Sequence, residues 1–147
     1  TRNLRLEFTD DTKEMKNSIA CDLGGYVAEE LKFGTHYPGA SDDLFHASAK
    51  ARNMVLLFGM SDMIGPLSFM EYDDASQTGK INILMYGNDI AYKASCEIQK
   101  ILNDAEERAK DVLIKNKDIL EQIAQELIEK HELGEEELSL IFSRINL

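Results

Sequence analysis

From Ile90 onward, apolar side chains return every three or four residues over a stretch too long for anything but α-helix. Ile90, Ala94, Ile98, Ile101, Leu102, Ala105, Ala109, Val112 and Leu113 form one stripe, and Ile119, Leu120, Ile123, Leu127 and Ile128 continue it. A period near 3.6 sustained at this length is met by helices with one apolar face, and that face must be buried against other elements. The stripe therefore commits the chain to helix-on-helix packing. Asn116-Lys117 predicts a break within it, giving two long helices expected to lie antiparallel.

The same period recurs upstream. Thr9, Asp10, Asp11 and Thr12 offer N-cap oxygens, and Met15, Ile19, Leu23, Tyr26, Val27 and Leu31 follow on one helical face. Gly24-Gly25 interrupts this first helix at about 1 kcal/mol per glycine relative to alanine, which suggests a second backbone packed close by. Gly34 to Ala40 is rich in turn residues, and Ser41 then reads as the cap of a second helix ending at Gly59. Its apolar positions are Leu44, Ala47, Ala51, Met54, Val55 and Phe58.

From Met60 to Asn88 the helical period is lost. Leu67 to Tyr72 and Lys80 to Tyr86 are strand-like, with Gln77-Thr78-Gly79 as a turn between them. At the far end, Gly134 reads as the C′ residue of the fourth helix, and Glu135 to Asn146 as a last short one. The expected fold is all-α, a bundle of four to five helices with one irregular or hairpin-like insertion at about 60–88. Residues 1–147 are read as a single domain.

Charge narrows the functional classes. Lys and Arg total 16 against 27 Asp and Glu, a formal charge of -11, and a field of that sign repels phosphate backbones. Nucleic acid is not an expected partner. Cys21 and Cys96 belong to no CxxC pair, so they suggest neither a disulfide framework nor a thiolate zinc site. On helical patterns beside apolar neighbours, both read as small hydrophobes in or near the core of a protein kept in a reducing compartment. No apolar run approaches the roughly 18 to 20 residues of a membrane span, and Thr1 to Phe8 lacks a signal peptide's apolar stretch. This segment is expected to be soluble, and any membrane anchor to lie outside it.

Three histidines are present, and the arrangement to test first is HExxH, which sets two imidazoles on one helix face for zinc. The string does not occur. His131-Glu132 begins it, but the position four beyond His131 is Glu135, and His131 reads instead as a helix C-terminal residue facing the negative end of the dipole. Asp42 and Asp43 fall in the first turn after Ser41, where a helix dipole alone favours carboxylates. His46, one turn past Asp43, would give two ligands on one helix, which makes a weak site. Glu29-Glu30 adds acid near the same loop, a pattern that more often marks a solvated face. No phosphate loop, GxSxG elbow or Cys-His arrangement supports nucleotide binding or nucleophilic hydrolysis.

Three glycine-bounded stretches carry a resemblance: GGYVAEELKFG (Gly24 to Gly34), GASDDL (Gly39 to Leu44) and AKARNMVLLFGMSDMIGP (Ala49 to Pro66). In order and type they resemble the FtsH family of membrane-anchored AAA+ zinc proteases, with its GGRxAEExxFG, GASNDL and GMSxxxGP motifs. Glu97 to Leu133 is similar to the family's closing helices. The resemblance implies a hexameric machine that unfolds protein substrates with ATP and hydrolyses them at zinc sites. Its targets would be unfolded or membrane proteins, and its place the cytoplasmic face of a bacterial or organellar membrane.

In that family HExGH supplies two histidines and a general-base glutamate, and the aspartate of GASNDL is the third zinc ligand. That aspartate falls on Asp43 here, and Glu29, the first glutamate of AEE, is a weaker candidate for a supporting acid. Tyr26 stands where the family has arginine, Asp42 where it has asparagine, and the loop before GASDDL is shortened. Neither HExGH nor the ATPase module with its phosphate loop lies within these residues, so ATP is expected only with that module. A catalytic zinc takes three protein ligands, so a chain offering one should neither hold zinc tightly nor cleave peptides alone. The chain then reads as the C-terminal part of a peptidase domain, supplying the third zinc ligand and a helical assembly surface. The alternative is a degenerate, non-catalytic relative serving as an interaction or scaffolding module.

Overall fold

The computed structural model describes residues 11–75 and 78–145. Asp11 is the N-cap of α1 (Thr12–Asp22): its Oδ1 accepts from the Glu14 N–H at 2.8 Å, and Glu14 Oε2 accepts from the Asp11 N–H at 3.3 Å. This reciprocal box satisfies two of the donors that a helix start leaves free. Thr9 and Asp10, the other cap candidates, lie outside the described residues.

The single first helix expected from the pattern is two. The chain stays near helical geometry at Leu23 (φ -77, ψ -5), then restarts as α2 (Gly24–Phe33), closed by Gly34 in the left-handed region at φ 67. No backbone crowds the glycine pair. A Cβ on Gly24 would meet nothing within 4 Å, whereas one on Gly25 would lie 2.8 Å from Asp43 Oδ2, a side chain.

A 3-10 turn over Pro38–Ala40 feeds directly into α3 (Ser41–Leu56). The N-cap is Ala40, without a side-chain bond, so Ser41 is the first helical residue and not the expected cap. Gly59, at φ 63, turns the chain out of the helix, and the Met60 N–H returns to the Met54 carbonyl at 2.9 Å.

The insertion is a short antiparallel hairpin, β1 (Met70–Asp73) with β2 (Thr78–Ile81), in register Met70↔Ile81 and Asp73↔Thr78. Thr78 and Gly79 are strand residues, where the sequence had suggested a turn; Gln77 lies outside the described residues. Two anchors tie the insertion to the helices. Phe69 is fully buried, donates from its N–H to Leu56 O at 2.9 Å and accepts at its carbonyl from the Asn82 N–H at 2.8 Å. Buried Ser61 donates to Glu97 Oε2 at 2.8 Å and accepts from the Ile64 N–H at 3.2 Å.

α4 (Asn88–Lys115) is the spine against which α1, α2 and α3 pack, α1 also packing on α3. The core joins Met15 and Ile19 from α1, Val27 from α2, Met54, Val55 and Leu56 from α3, and Phe69. Ala47 and Ala51 on α3, with Ala94, Ala105 and Ala109 on α4, keep the helix faces small where they meet. Lys50 on α3 reaches back to Asp22 and Ser18 on α1, each at 2.7 Å.

The expected antiparallel pairing of the last two long helices is not formed. α4 ends at Asn116, whose Nδ2 donates to Val112 O at 2.8 Å, and α5 (Lys117–Lys130) then turns away with no buried residue. His131 closes α5 in the left-handed region, φ 65. Gly134 is the N-cap of α6 (Glu135–Phe142) and not the C′ residue of α5; its N–H donates to Glu137 Oε2 at 3.0 Å. The architecture is thus mostly helical, with six α-helices among the described residues and the insertion where expected. Cys21 and Cys96 are exposed, not core residues. Among the described residues no helix is long and apolar enough to cross a membrane.

Candidate functional site

Asp43 sits in the first turn of α3, half-buried. Its carboxylate leans on the first turn of α2, with Oδ2 in the space that a Cβ of Gly25 would occupy. The carboxylate of α3 is thereby packed against the start of α2. Asp42, its neighbour, is exposed.

The loop joining the two helices is held to α2 at two places. Glu29, one turn beyond Gly25 on the same face of α2, accepts from the Tyr37 N–H at 3.0 Å. Tyr26 stacks on His36 with ring centroids 3.9 Å apart and planes 5° from parallel. Both contacts tie the loop to α2 just before the 3-10 turn that leads into α3. Glu29 thus has a structural partner, and its carboxylate is engaged with the loop backbone.

The other acids and histidines named from the sequence do not join this centre. Glu30 turns to Lys110 on α4, Oε2 to Nζ 2.8 Å, and Lys110 also meets Glu106 at 2.9 Å. The hydrogen bond from Lys110 holds the Glu30 carboxyl below its ordinary value, and bonds to Glu30 and Glu106 push the Lys110 ammonium up. His46 is exposed, packed edge-on against Phe45 with centroids 5.6 Å apart. His131 ends α5.

Among the described residues, no three or more His, Cys, Asp or Glu side chains come together in a way that could hold a metal ion. A carboxylate such as Asp43 is a chemically suitable zinc donor, but zinc sites in proteins use three or four protein ligands. These residues do not by themselves fit a zinc ion. The Asp43–Gly25 contact and the Tyr26–His36 stack escaped sequence reasoning. The glycine pair signalled a close approach without naming what approaches, and nothing in the spacing paired two aromatic rings across a turn.

Beside the site, α2, α4 and α5 enclose an apolar groove of about 570 Å³ lined by Leu31, Phe33, Leu113, Ile114, Leu120 and Ala124. Glu29 stands on its rim. It arises because α5 swings off α4 and leaves the stripe of both helices partly uncovered.

The model of peptidase family M41 matches residues 6–141. The chain is similar to the ATP-dependent zinc metalloprotease FtsH of Bacillus subtilis, 41% identical over 132 residues, which are 85% of this chain and 20% of that protein. It is similar also to FtsH 4 of Sorangium cellulosum, 36% identical over 140 residues, covering 93% of this chain and 21% of the relative. A third, FtsH 3 of Synechocystis sp., is 35% identical over 142 residues, 90% of this chain and 22% of its own length. The chain spans about a fifth of the length of the curated relatives it matches.

Proposed function

Because the chain belongs to peptidase family M41, the family of the FtsH zinc metalloproteases, we propose that it works as the C-terminal helical part of a peptidase domain in an ATP-dependent zinc metalloendopeptidase. In this reading residues 1–147 are one part of that domain, and Asp43 is the one zinc ligand they supply. Two histidines and the general-base glutamate come from an HExGH segment outside these residues. What supports this reading is the seat of Asp43, half-buried in the first turn of α3 with Oδ2 against Gly25 of α2, in the stretch that resembles the family's GASNDL. Glu29 supports the site indirectly, by pinning the loop that leads into α3.

The remaining roles extend from the family. The substrates are unfolded or membrane proteins delivered by an ATPase module, the assembly is a homo-hexamer, and the membrane is reached through other segments of the protein, with the peptidase on its cytoplasmic face. The exposed faces of α5 and α6 serve assembly. Alone, the 147-residue chain neither retains zinc nor cleaves peptides. The lack of a three-ligand cluster among the described residues also suits a second reading, a degenerate relative acting as an interaction module.

Zinc content and casein cleavage, measured on this chain and on a longer protein that includes the upstream coding sequence, separate the two. The longer protein is expected to bind zinc, to lose affinity on Asp43→Ala by more than the roughly 10- to 100-fold that removal of a ligand's outer hydrogen-bond partner costs, and to cleave casein when coupled to its ATPase. A longer protein that is equally inert, or has no HExGH, would leave only the interaction module.

A further inference from the structure

The hairpin presents two unlike faces. Its register puts Met70 opposite Ile81 and Tyr72 opposite Gly79 on one, and Glu71 opposite Lys80 and Asp73 opposite Thr78 on the other. Ile81 roots the first face on the core, while Met70 and Tyr72 stand 42% and 61% exposed. The Met70 thioether fills the space that a Cβ of Gly79 would need, so the glycine lets it lie across the sheet. On the second face both acids belong to β1, and Lys80 of β2 sits 3.8 Å from Glu71. The stretch from Asp62 to Asp89 holds five acids and that one base. Two strands make up the sheet among the described residues, so β1 is an edge. An edge that runs Met-Glu-Tyr-Asp is apolar toward one face and acidic toward the other.

We infer that β1 is a docking edge for an extended segment of another protein in which apolar residues alternate with lysine or arginine. A segment lying along β1 sends its side chains alternately to the two faces. Those beside Met70 and Tyr72 bury apolar surface, and those beside Glu71 and Asp73 meet carboxylates, so an apolar-basic alternation satisfies both at once. A second copy suits the edge less well, because pairing through β1 would set acid against acid. Neither Asp43 nor a metal takes part, and the 147-residue chain itself carries the whole surface.

Fluorescence anisotropy with short labelled peptides reads this binding directly. A peptide of alternating valine and lysine is expected to bind the chain, and added salt to weaken it. Peptides that alternate valine with glutamate, or serine with lysine, should bind about tenfold more weakly or worse, the first for its charge and the second for its missing apolar side chains. Glu71→Gln keeps an acceptor for the Asn82 amide and removes the charge, and Tyr72→Ser removes the exposed ring. Each should weaken the valine-lysine peptide by about threefold to fivefold, whereas Leu140→Ser, at an exposed position on α6, should leave it unchanged. Circular dichroism checks that the variants keep their helices, and should one unfold, the three peptides still decide on the parent chain. Equal binding of the three peptides, binding of none, or a valine-lysine affinity indifferent to both hairpin substitutions overturns the assignment. So does self-association in sedimentation that Tyr72→Ser abolishes, since a second copy would then hold the edge.

Discussion

Glu29 and Glu30 are adjacent in sequence and part company in space: one anchors a loop, the other anchors a helix. Glu30 faces α4 and pairs with Lys110 at 2.8 Å, with the two side chains 38% and 32% exposed. The bond with Lys110 lowers the Glu30 carboxyl from 4.5, and bonds with Glu30 and Glu106 raise the Lys110 ammonium from 10.5. A lowered carboxyl contributes stability that is present above its unfolded value and is lost as pH falls through the folded one. A raised ammonium contributes stability that is present below its unfolded value and is lost as pH climbs through the folded one. The contact between α2 and α4 is therefore strongest between the carboxylate and lysine ranges and fades at both ends. Glu30→Gln should unfold at lower urea than the parent at about pH 7, and the gap should narrow toward about pH 3 as pH falls toward the lowered folded-state value of Glu30. A gap of the same size at both pH values would show that Glu30 contributes by packing and not by charge.

α5 has no buried residue and ends on a non-glycine in the left-handed region, so its stability depends on its ends more than on its face. His131 at φ 65 carries a Cβ where the left-handed conformation crowds it, at about 1 kcal/mol, which glycine would avoid. His131→Gly should slow amide exchange in the last turn of α5 by roughly threefold to fivefold, read residue by residue by NMR. Unchanged or faster exchange there would mean that the His131 side chain makes up for its backbone. The sequence misplaced this boundary because glycine serves both at C′ and, less strongly, at an N-cap, and Gly134 takes the second role. Long periodic stripes were legible, since α1 and α4 bury or half-bury the apolar positions their spacing marks and α3 buries Ala47, Ala51, Met54 and Val55, although Leu44 and Phe58 at the ends of its stripe are exposed. Cys21 was misread although Ile19, two residues away, sets the buried face, and a helix turns by more than half a circle over two residues. The hairpin's bounds were misplaced because neither strand-like stretch alternates clearly, and the fully buried side chain, Phe69, lies just before β1. Asp43 was singled out through resemblance alone. Its seat against Gly25 joins residues from two helices, and no local pattern encodes that.

At the scale of the molecule, stabilising contact is concentrated in one half. α1, α2 and α3 gather on α4 as far as Ala109, Phe69 pins the insertion to that cluster, and Ser61 ties it to Glu97. Beyond Asn116, Ile141 is the one large apolar side chain buried among the described residues, and the other ties are polar. α5 reaches α2 through Lys32 and Glu121 at 4.0 Å, both exposed, and α6 is tied to α5 by Lys130 with Glu137 at 2.7 Å and Arg144 with Gln122 at 2.6 Å. Exposed pairs of this kind contribute little each, on the order of 0.2 to 1 kcal/mol, whereas each buried large side chain of the core contributes roughly 1.5 to 3. The two halves should therefore open at different free energies. Native-state hydrogen exchange at rising denaturant tests this. Amides of Ile19, Met54 and Ala94 should exchange only through global unfolding. Those of Leu120 to Leu127 and of Leu138 to Ile141 should open at free energies lower by several kcal/mol, and together, since the Lys130 and Arg144 contacts couple α5 to α6. Adding salt should lower the opening energy of that second zone further, because screening weakens the pairs that hold it and leaves the apolar core untouched. If every amide instead follows one unfolding isotherm, α5 and α6 belong to the same cooperative unit as the core, and the apolar groove between α2, α4 and α5 contributes more to the fold than its exposed lining suggests.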